Sequence, residues 1–246
     1  MIISRQGISS LLVNLQVLLR KDMAGLQQWA DKWAAGKTTF HRLQVNEALL
    51  EFQDKLLVKI PSRVFVPLCG KTVDMKWLAD EGHEVVGLEG VEQAIKEFFD
   101  EQKLSCKESE VPGLEGGKLY QTEDGKIKLF QCNLFDFSKD VCGQFDAIWD
   151  RASLVAVDDS DRQKYTDVVS SLLVPHGRIL QEVYLYNPTE MTGNPHSVPP
   201  EEIEKLYGEK FKIELLRDAE YLEDNPRFRE RGLTWMRQHI RLLTLK

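Results

Sequence analysis

No two cysteines of this chain stand in C-x-x-C spacing and no histidine cluster accompanies them, so Cys69, Cys106, Cys132 and Cys142 indicate neither a zinc knuckle nor a disulfide framework. A reducing, intracellular and cytoplasmic setting fits that usage. Positive charge is in short supply: 32 Lys and Arg face 39 Asp and Glu, a net charge of −7, without the basic footprint that nucleic-acid binding needs. The apolar run from Leu11 to Leu19, interrupted by Asn14 and Gln16, falls short of the roughly 20 apolar residues that span a bilayer, so no membrane anchor is expected. The glycine signatures of nucleotide sites are incomplete. Gly70-Lys71-Thr72 copies the end of a phosphate-binding loop, but Phe65 stands where that loop needs its first glycine. Of the dinucleotide fingerprint G-x-G-x-x-G only Gly70 is in place. An NTPase and a NAD-dependent dehydrogenase are both disfavoured, and the expected ligand lacks a pyrophosphate.

What the chain does have is 246 residues with 42% apolar and 29% charged side chains, enough for one large or two small domains around an ordinary core. Residues 1–21 hold three basic residues and no acidic one, which sets them apart. They read as a loosely ordered, dispensable extension over residues 1–22 ahead of an internal start at Met23, with a weak amphipathic transit peptide and a poor secretory signal as the other readings. Residues 23–246 are expected to form a single domain.

Within it, Trp29 and Trp33 are spaced i, i+4 on one helical face that Gly36 ends, and Leu43 to Leu57 shows a second helical pattern. These helices, residues 26–58, precede a core over 63–186. There Arg63 to Val66 reads as a strand, Val73 to Glu81 as a helix and Glu84 to Leu88 as a strand, a βαβ unit and hence a parallel sheet. A helix over Val91 to Gln102 follows. Asp124-Gly125, between Lys118–Thr122 and Ile127–Cys132, signals a hairpin excursion. Phe145 to Asp150 is another strand, Arg162 to Leu173 a helix, and Gly177 to Tyr186 a strand after a Pro175-His176-Gly177 turn. Residues 187–246 begin with a loop over Asn187 to Pro200 with four prolines, a lid rather than a linker, and end in strands at Phe211–Leu216 and His239–Leu245.

Ligands of open parallel sheets sit at the carboxyl ends of the strands where the strand order reverses. The first such end is the turn Pro67 to Thr72. The second is Glu89, 19 residues beyond Gly70, placed to accept from both ribose hydroxyls of a nucleoside. A nucleoside without phosphate points to S-adenosylmethionine; the competing reading is a solvent-exposed glutamate that opens the next helix. Cys132-Asn133-Leu134 offers an amide and an apolar side chain to an adenine. Asp150-Arg151 ends the Trp149 strand, either at the ligand or as a local ion pair. Cys69 reads as a packing residue, Asp74 as a carboxylate suited to a helix N-terminus, and Trp77, Phe98 and Phe99 as core.

The pattern Trp29-x-x-x-Trp33-x-x-Gly36-Lys37-Thr38-x-Phe40-His41, with Val64-Phe65-x-Pro67-Leu68-Cys69-Gly70-Lys71, Met75-Lys76-Trp77, Gly82-His83 and Val85-Val86-Gly87, resembles thiopurine S-methyltransferases. So do Phe145-Asp146-x-Ile148-Trp149-Asp150-Arg151, Asp161-Arg162 and Pro188-Thr189, and the likeness runs from about Leu26 to the C-terminus. It implies a class I methyltransferase fold, a three-layer α/β Rossmann-like sheet, mostly parallel with an antiparallel C-terminal strand. It also implies S-adenosylmethionine as cofactor, held by Trp29, Trp33, Phe40, Leu68, Gly70, Glu89, Asn133, Leu134 and Arg151. Phe40, Arg151 and Arg227 would meet a small-molecule thiol, with the two arginines as catalytic residues and no metal. The stretch Asp224 to Gly232 departs from the family, which tends to carry Trp where Arg231 stands; that departure bears on substrate range. A monomer is expected.

Methyl transfer from a sulfonium is an in-line displacement, so the protein chiefly aligns donor and acceptor and excludes water. A thiol reacts as its thiolate, which a cationic arginine stabilises. Arg151 is expected to orient donor and acceptor, with Arg227 stabilising the thiolate or passing its proton through water. Alternatives are transfer to a selenol, halide, thiocyanate, amine or oxygen, a cofactor-binding pseudoenzyme, or a protein-interaction module.

Overall fold

The computed structural model describes residues 25–246; the expected extension over residues 1–22 and the internal start at Met23 lie outside the described residues. Helical residues 25–34 (α1) end at Gly36, whose φ of 65° reverses the chain. Helix α2 (Glu47–Leu56) starts later than its apolar spacing suggests. The Asn46 side chain accepts from the Ala48 N–H and caps it there, leaving Leu43 84% exposed ahead of the helix.

Next come β1 (Arg63–Val66), α3 (Asp74–Asp80), β2 (Glu84–Glu89) and α4 (Glu92–Glu101). Strands β3 (Cys106–Glu110), β4 (Lys118–Thr122) and β5 (Ile127–Gln131) follow, then a short α5 (Lys139–Cys142), β6 (Phe145–Arg151) and α6 (Arg162–Ser171). The chain ends with β7 (Leu173–Leu185), α7 (Pro200–Tyr207), β8 (Phe211–Glu220), α8 (Pro226–Glu230) and β9 (Arg237–Leu245).

The nine strands among the described residues form one sheet in the order β3-β4-β5-β2-β1-β6-β7-β9-β8. The five central strands, β5 to β7, are parallel, as the βαβ reading requires. As expected, one C-terminal strand runs against the core: β9 inserts between β7 and β8 and is antiparallel to both, so β8 points the same way as the central strands. At the far edge the hairpin β4–β5 carries β3, which the sequence conceals: Cys-Lys-Glu-Ser-Glu is exposed throughout, so it has no apolar alternation to read. The expected Pro175-His176-Gly177 turn is absorbed into β7 as an irregularity. Between the pairs Phe145↔Leu173 and Ala147↔Arg178, two steps along β6 match five along β7.

Helices cover both faces, giving three layers. Leu49 and Leu56 of α2, Met75 and Leu78 of α3 and Phe98 of α4 pack on one side with Trp149 and Leu180. Tyr165 and Val169 of α6 and Ile203 and Tyr207 of α7 pack on the other with Ile148, Ile179 and Val183. Alternation along β6 and β7 therefore sends Trp149, Arg151, Glu182 and Tyr184 to the first face, and Asp150 and Gln181 to the second. The chain runs outward from β1 to β5 and then crosses to β6, so the strand order reverses beside the carboxyl end of β1. No described helix is long and apolar enough to cross a membrane.

Candidate active site

A cavity of about 800 Å³ opens at this reversal, and all ten residues singled out from the sequence line it. On one side the turn after β1 is wound tightly: Leu68 and Gly70 have φ of 45° and 53°. The Cys69 N–H donates to the Leu88 carbonyl at 2.9 Å, and the Gly70 N–H donates to Glu89 Oε2 at 2.9 Å. The other oxygen, Oε1, accepts from the Val91 N–H at 2.8 Å. Glu89 is only 8% exposed, which overturns the reading of a solvent-exposed helix opener. Burial raises its pKa, opposed by the amides of Val91, Gly70 and Gly90. A carboxylate offers about four acceptor positions, more than these amides occupy, so Glu89 keeps acceptor capacity that ribose hydroxyls can use.

Gly87 lets the turn sit flat on β2, since a Cβ there would lie 2.8 Å from both Cys69 Sγ and Met75 Sδ. Cys69 is buried and its thiol is pushed well up by that burial, in keeping with a packing residue. Asp74 stands in the first turn of α3 but does more than suit the helix dipole. Buried, it accepts from the Asn46 N–H and from Trp149 Nε1, each at 2.8 Å. Asn133 caps a short 3-10 turn by accepting from the Phe135 N–H at 3.0 Å, which leaves buried Leu134 at the cavity wall.

Helix α1 roofs this half. A Cβ on Gly90 would collide with the Leu26 side chain, and one on Gly70 would lie 3.5 Å from the Trp33 ring. Phe40 meets Trp29 and Trp33 edge to face, with ring centroids 5.5 and 5.7 Å apart. Lys71, 5.8 Å from the Trp33 ring, binds Glu97 at 2.7 Å and Glu101 at 2.6 Å, tying the turn to α4.

The other half of the cavity is cationic and aromatic. Arg151 Nη2 donates to the Phe40 carbonyl at 3.2 Å, and Arg227 Nη1 donates to the Thr39 carbonyl, so both arginines grip the backbone beside Phe40. Burial lowers the Arg227 pKa, the tyrosines Tyr221 and Tyr184 raise it, and Arg42 and Arg151 lower it further. Arg231 bridges α8 to the proline-rich loop, donating to the carbonyls of Asn194 at 2.9 Å and Thr192 at 3.1 Å. Asp150 takes no part. It points to the opposite face from Arg151 and accepts from the N–H groups of Ser153 at 3.1 Å and Leu154 at 3.3 Å. The local Asp150–Arg151 ion pair is therefore ruled out by strand alternation. Burial pushes the Asp150 carboxyl up to about 6.

Four residues at this end escape sequence reasoning. Arg42 Nη2 donates to Tyr221 Oη at 2.6 Å, Tyr221 and Tyr184 hydroxyls lie 3.2 Å apart, and Tyr184 donates to Glu182 Oε1 at 2.8 Å. Glu182 also accepts from Gln238 Nε2 at 2.6 Å and from Asn46 Nδ2 at 2.7 Å. The one available signal was that Glu182 and Tyr184 share a face at the carboxyl end of β7, and the apolar run around them masked the alternation.

A family model described as "Thiopurine S-methyltransferase (TPMT)" matches residues 24–246. A probable thiopurine S-methyltransferase of Danio rerio is 42% identical over 222 residues, 90% of this chain and 95% of that protein. The thiopurine S-methyltransferase of Bos taurus is 41% identical over 222 residues, 90% of each chain. Among solved structures, Burkholderia thailandensis 1,6-didemethyltoxoflavin-N1-methyltransferase, with S-adenosylhomocysteine bound, superposes with a TM-score of 0.60 at 12% identity. That alignment covers 100% of this chain and 92% of that one. A SAM-dependent methyltransferase of Methanosarcina mazei gives a TM-score of 0.59 at 17% identity over 82% of this chain and 98% of that one. At such identities these two establish a shared fold.

Proposed function

This chain belongs to the thiopurine S-methyltransferase family, and from that premise we propose that it methylates the sulfur of small aromatic or heterocyclic thiols, thiopurines among them, with S-adenosylmethionine as donor. The observation that carries the reading is one cavity joining two chemically different halves: a buried carboxylate with open acceptor positions under an aromatic roof, and a pair of guanidinium groups beside Phe40. When bound, S-adenosylmethionine supplies an activated methyl group for in-line displacement.

The chain's own residues would then do the rest. Glu89 receives the ribose hydroxyls, and Asn133 with Leu134 receives the adenine. Trp29, Trp33 and Phe40 close over the donor and keep water from it. Arg151, which reaches Phe40 from the end of β6, orients donor and acceptor. Arg227 stands across the acceptor, where a guanidinium that keeps its charge near neutral pH stabilises a thiolate and lowers the thiol's pKa. The two arginines that receive the acceptor also hold the lid backbone, so acceptor binding and lid closure are mechanically joined.

Incubation with S-adenosylmethionine and a thiopurine, followed by mass spectrometry of the product, tests the reading. An S-methylated product is expected. Donor binding by calorimetry with no product from any aromatic thiol would overturn it in favour of a binding protein. We further propose that the enzyme works as a monomer in the cytoplasm; the unpaired Cys69, Cys106, Cys132 and Cys142 support a reducing compartment. Sedimentation and subcellular fractionation test these two points.

A further inference from the structure

Methyl transfer to a thiol requires that a proton leave the sulfur, and the arginines are poor bases because they stay charged. The hydrogen bonds at the cationic end of the cavity have a single consistent direction. Tyr184 donates its one hydroxyl proton to Glu182 Oε1, so within the 3.2 Å Tyr184–Tyr221 pair it is Tyr221 that donates. Arg42 Nη2 donates into Tyr221 Oη at 2.6 Å, and a hydroxyl oxygen has a second acceptor position, which Tyr221 offers at the cavity wall. The chain of hydroxyls thus starts in the cavity that holds Arg151 and Arg227 and ends on a carboxylate 2% exposed.

Resting on the methyltransferase reading above, we propose that Tyr221, Tyr184 and Glu182 form a proton relay that ionises the acceptor thiol. The S–H bond breaks as its proton passes to Tyr221 Oη. The Tyr221 proton moves to Tyr184 Oη, and the Tyr184 proton moves to Glu182 Oε1. Both tyrosines end as neutral phenols, Glu182 ends as a carboxylic acid, and the sulfur keeps the electron pair as a thiolate between Arg151 and Arg227. The proton later returns to solvent by the same path.

The surroundings of Glu182 suit this task. Arg151 faces it across the β6–β7 ladder, and Arg42 reaches it through the tyrosines. Arg217 binds Gln238 at 3.0 Å, which in turn donates to Glu182, and Asp74 shares Asn46 with it. Burial and then the neighbouring Glu182 carboxylate hold the Tyr184 phenol well above its ordinary range, so it passes a proton on without becoming an anion itself. Thiolate formation at one end and neutralisation of Glu182 at the other keep the net charge of the site constant, which a step in a poorly solvated interior favours.

The test compares two arenethiols at one pH, a nitro-substituted one already ionised and an electron-rich one still protonated. Glu182→Gln and, independently, Tyr221→Phe are expected to slow the protonated thiol by about 10²-fold, the scale of general-base catalysis, and the ionised thiol by less than about threefold. Titration of the thiolate absorbance on the enzyme without methyl donor reads the same step without turnover. Wild type should lower the bound thiol's pKa and both variants should restore it towards the free value. Equal loss with both thiols would reduce the network to a scaffold, and unchanged rates would leave Arg227 and water to move the proton; either result overturns the relay. A wild type that ionises the bound thiol yet makes no product supports the relay and overturns the proposed function.

Discussion

The two halves of the cavity are built by opposite means. Around Glu89 the scaffold is backbone: amides of Gly70 and Val91 bond the carboxylate, and the turn bonds β2 through Cys69. Every contributor comes from one strand–turn–helix–strand stretch. Around Tyr221 the scaffold is side chain, and its members, Arg42, Glu182, Tyr184, Tyr221 and Arg227, come from segments that meet only in the finished fold. A half fixed by backbone tolerates drift elsewhere, whereas a half fixed by side chains can be retuned one residue at a time. On the assignment proposed above, donor recognition would be fixed mechanically while acceptor recognition would be left adjustable, and Arg231, which bonds to the proline-rich loop, stands on the adjustable side.

The comparison breaks most visibly at Glu89. Glu89→Ala removes the proposed ribose acceptor and leaves the Gly70 and Val91 amides without their partner, and it should weaken S-adenosylmethionine binding by about 100-fold or more, roughly 3 kcal/mol, measured by calorimetry. Affinity within about threefold of wild type would mean that the backbone half does not hold the donor.

The sheet beneath both halves comes next. The carboxyl of Asp150 is raised to about 6 by burial, so the folded protein binds its proton more tightly than the unfolded chain does. Its contribution is greatest in acid and is lost as pH climbs from about 4 to about 6, some 2–3 kcal/mol by linkage. Urea midpoints across that range should show this falling component in wild type. Asp150→Asn should remove it; an unchanged slope would assign the titration elsewhere.

Arg227→Ala should lower kcat/KM for an aromatic thiol by roughly 10- to 100-fold, the usual cost of losing a charge-assisted contact, with donor affinity little changed. A matching loss of donor affinity would show that the two halves are not separable. The smallest change is at Gly90, where Gly90→Ala pushes against Leu26 and should raise the donor KM by about three- to fivefold through the roof helix, leaving kcat nearly unchanged.

The same contrast explains what the amino-acid order discloses. Strand β1, the turn at Gly70 and Glu89 follow one another at spacings that suit a parallel βαβ unit, so the central sheet could be read directly, and with it the strand ends where Gly70 and Glu89 meet. The start of α2 was hidden by Asn46, whose capping bond overrides the apolar pattern begun at Leu43. The polar β3 and the bulged entry to β7 were hidden because pairing, not composition, creates them. Asp150 and Arg151 are neighbours in sequence, yet pleating separates them by the thickness of the sheet. Tyr221 had no local signature at all: its role depends on Arg42 and Tyr184, whose distance along the chain no spacing rule spans.

The placement of β9 between β7 and β8 also bears on how the protein is made. Glu182 is held from one side by Asn46, ahead of α2, and from the other by Gln238, in the last strand. A nascent chain emerging in order can assemble the Glu89 turn once β2 and β5 are out, but the Glu182 environment stays incomplete until β9 has been released and threaded between its neighbours. During synthesis there is thus an interval in which the Glu89 turn is complete while Glu182 still lacks its Gln238 partner. A message cut short before β9 encodes the Glu89 turn but not the full surroundings of Glu182.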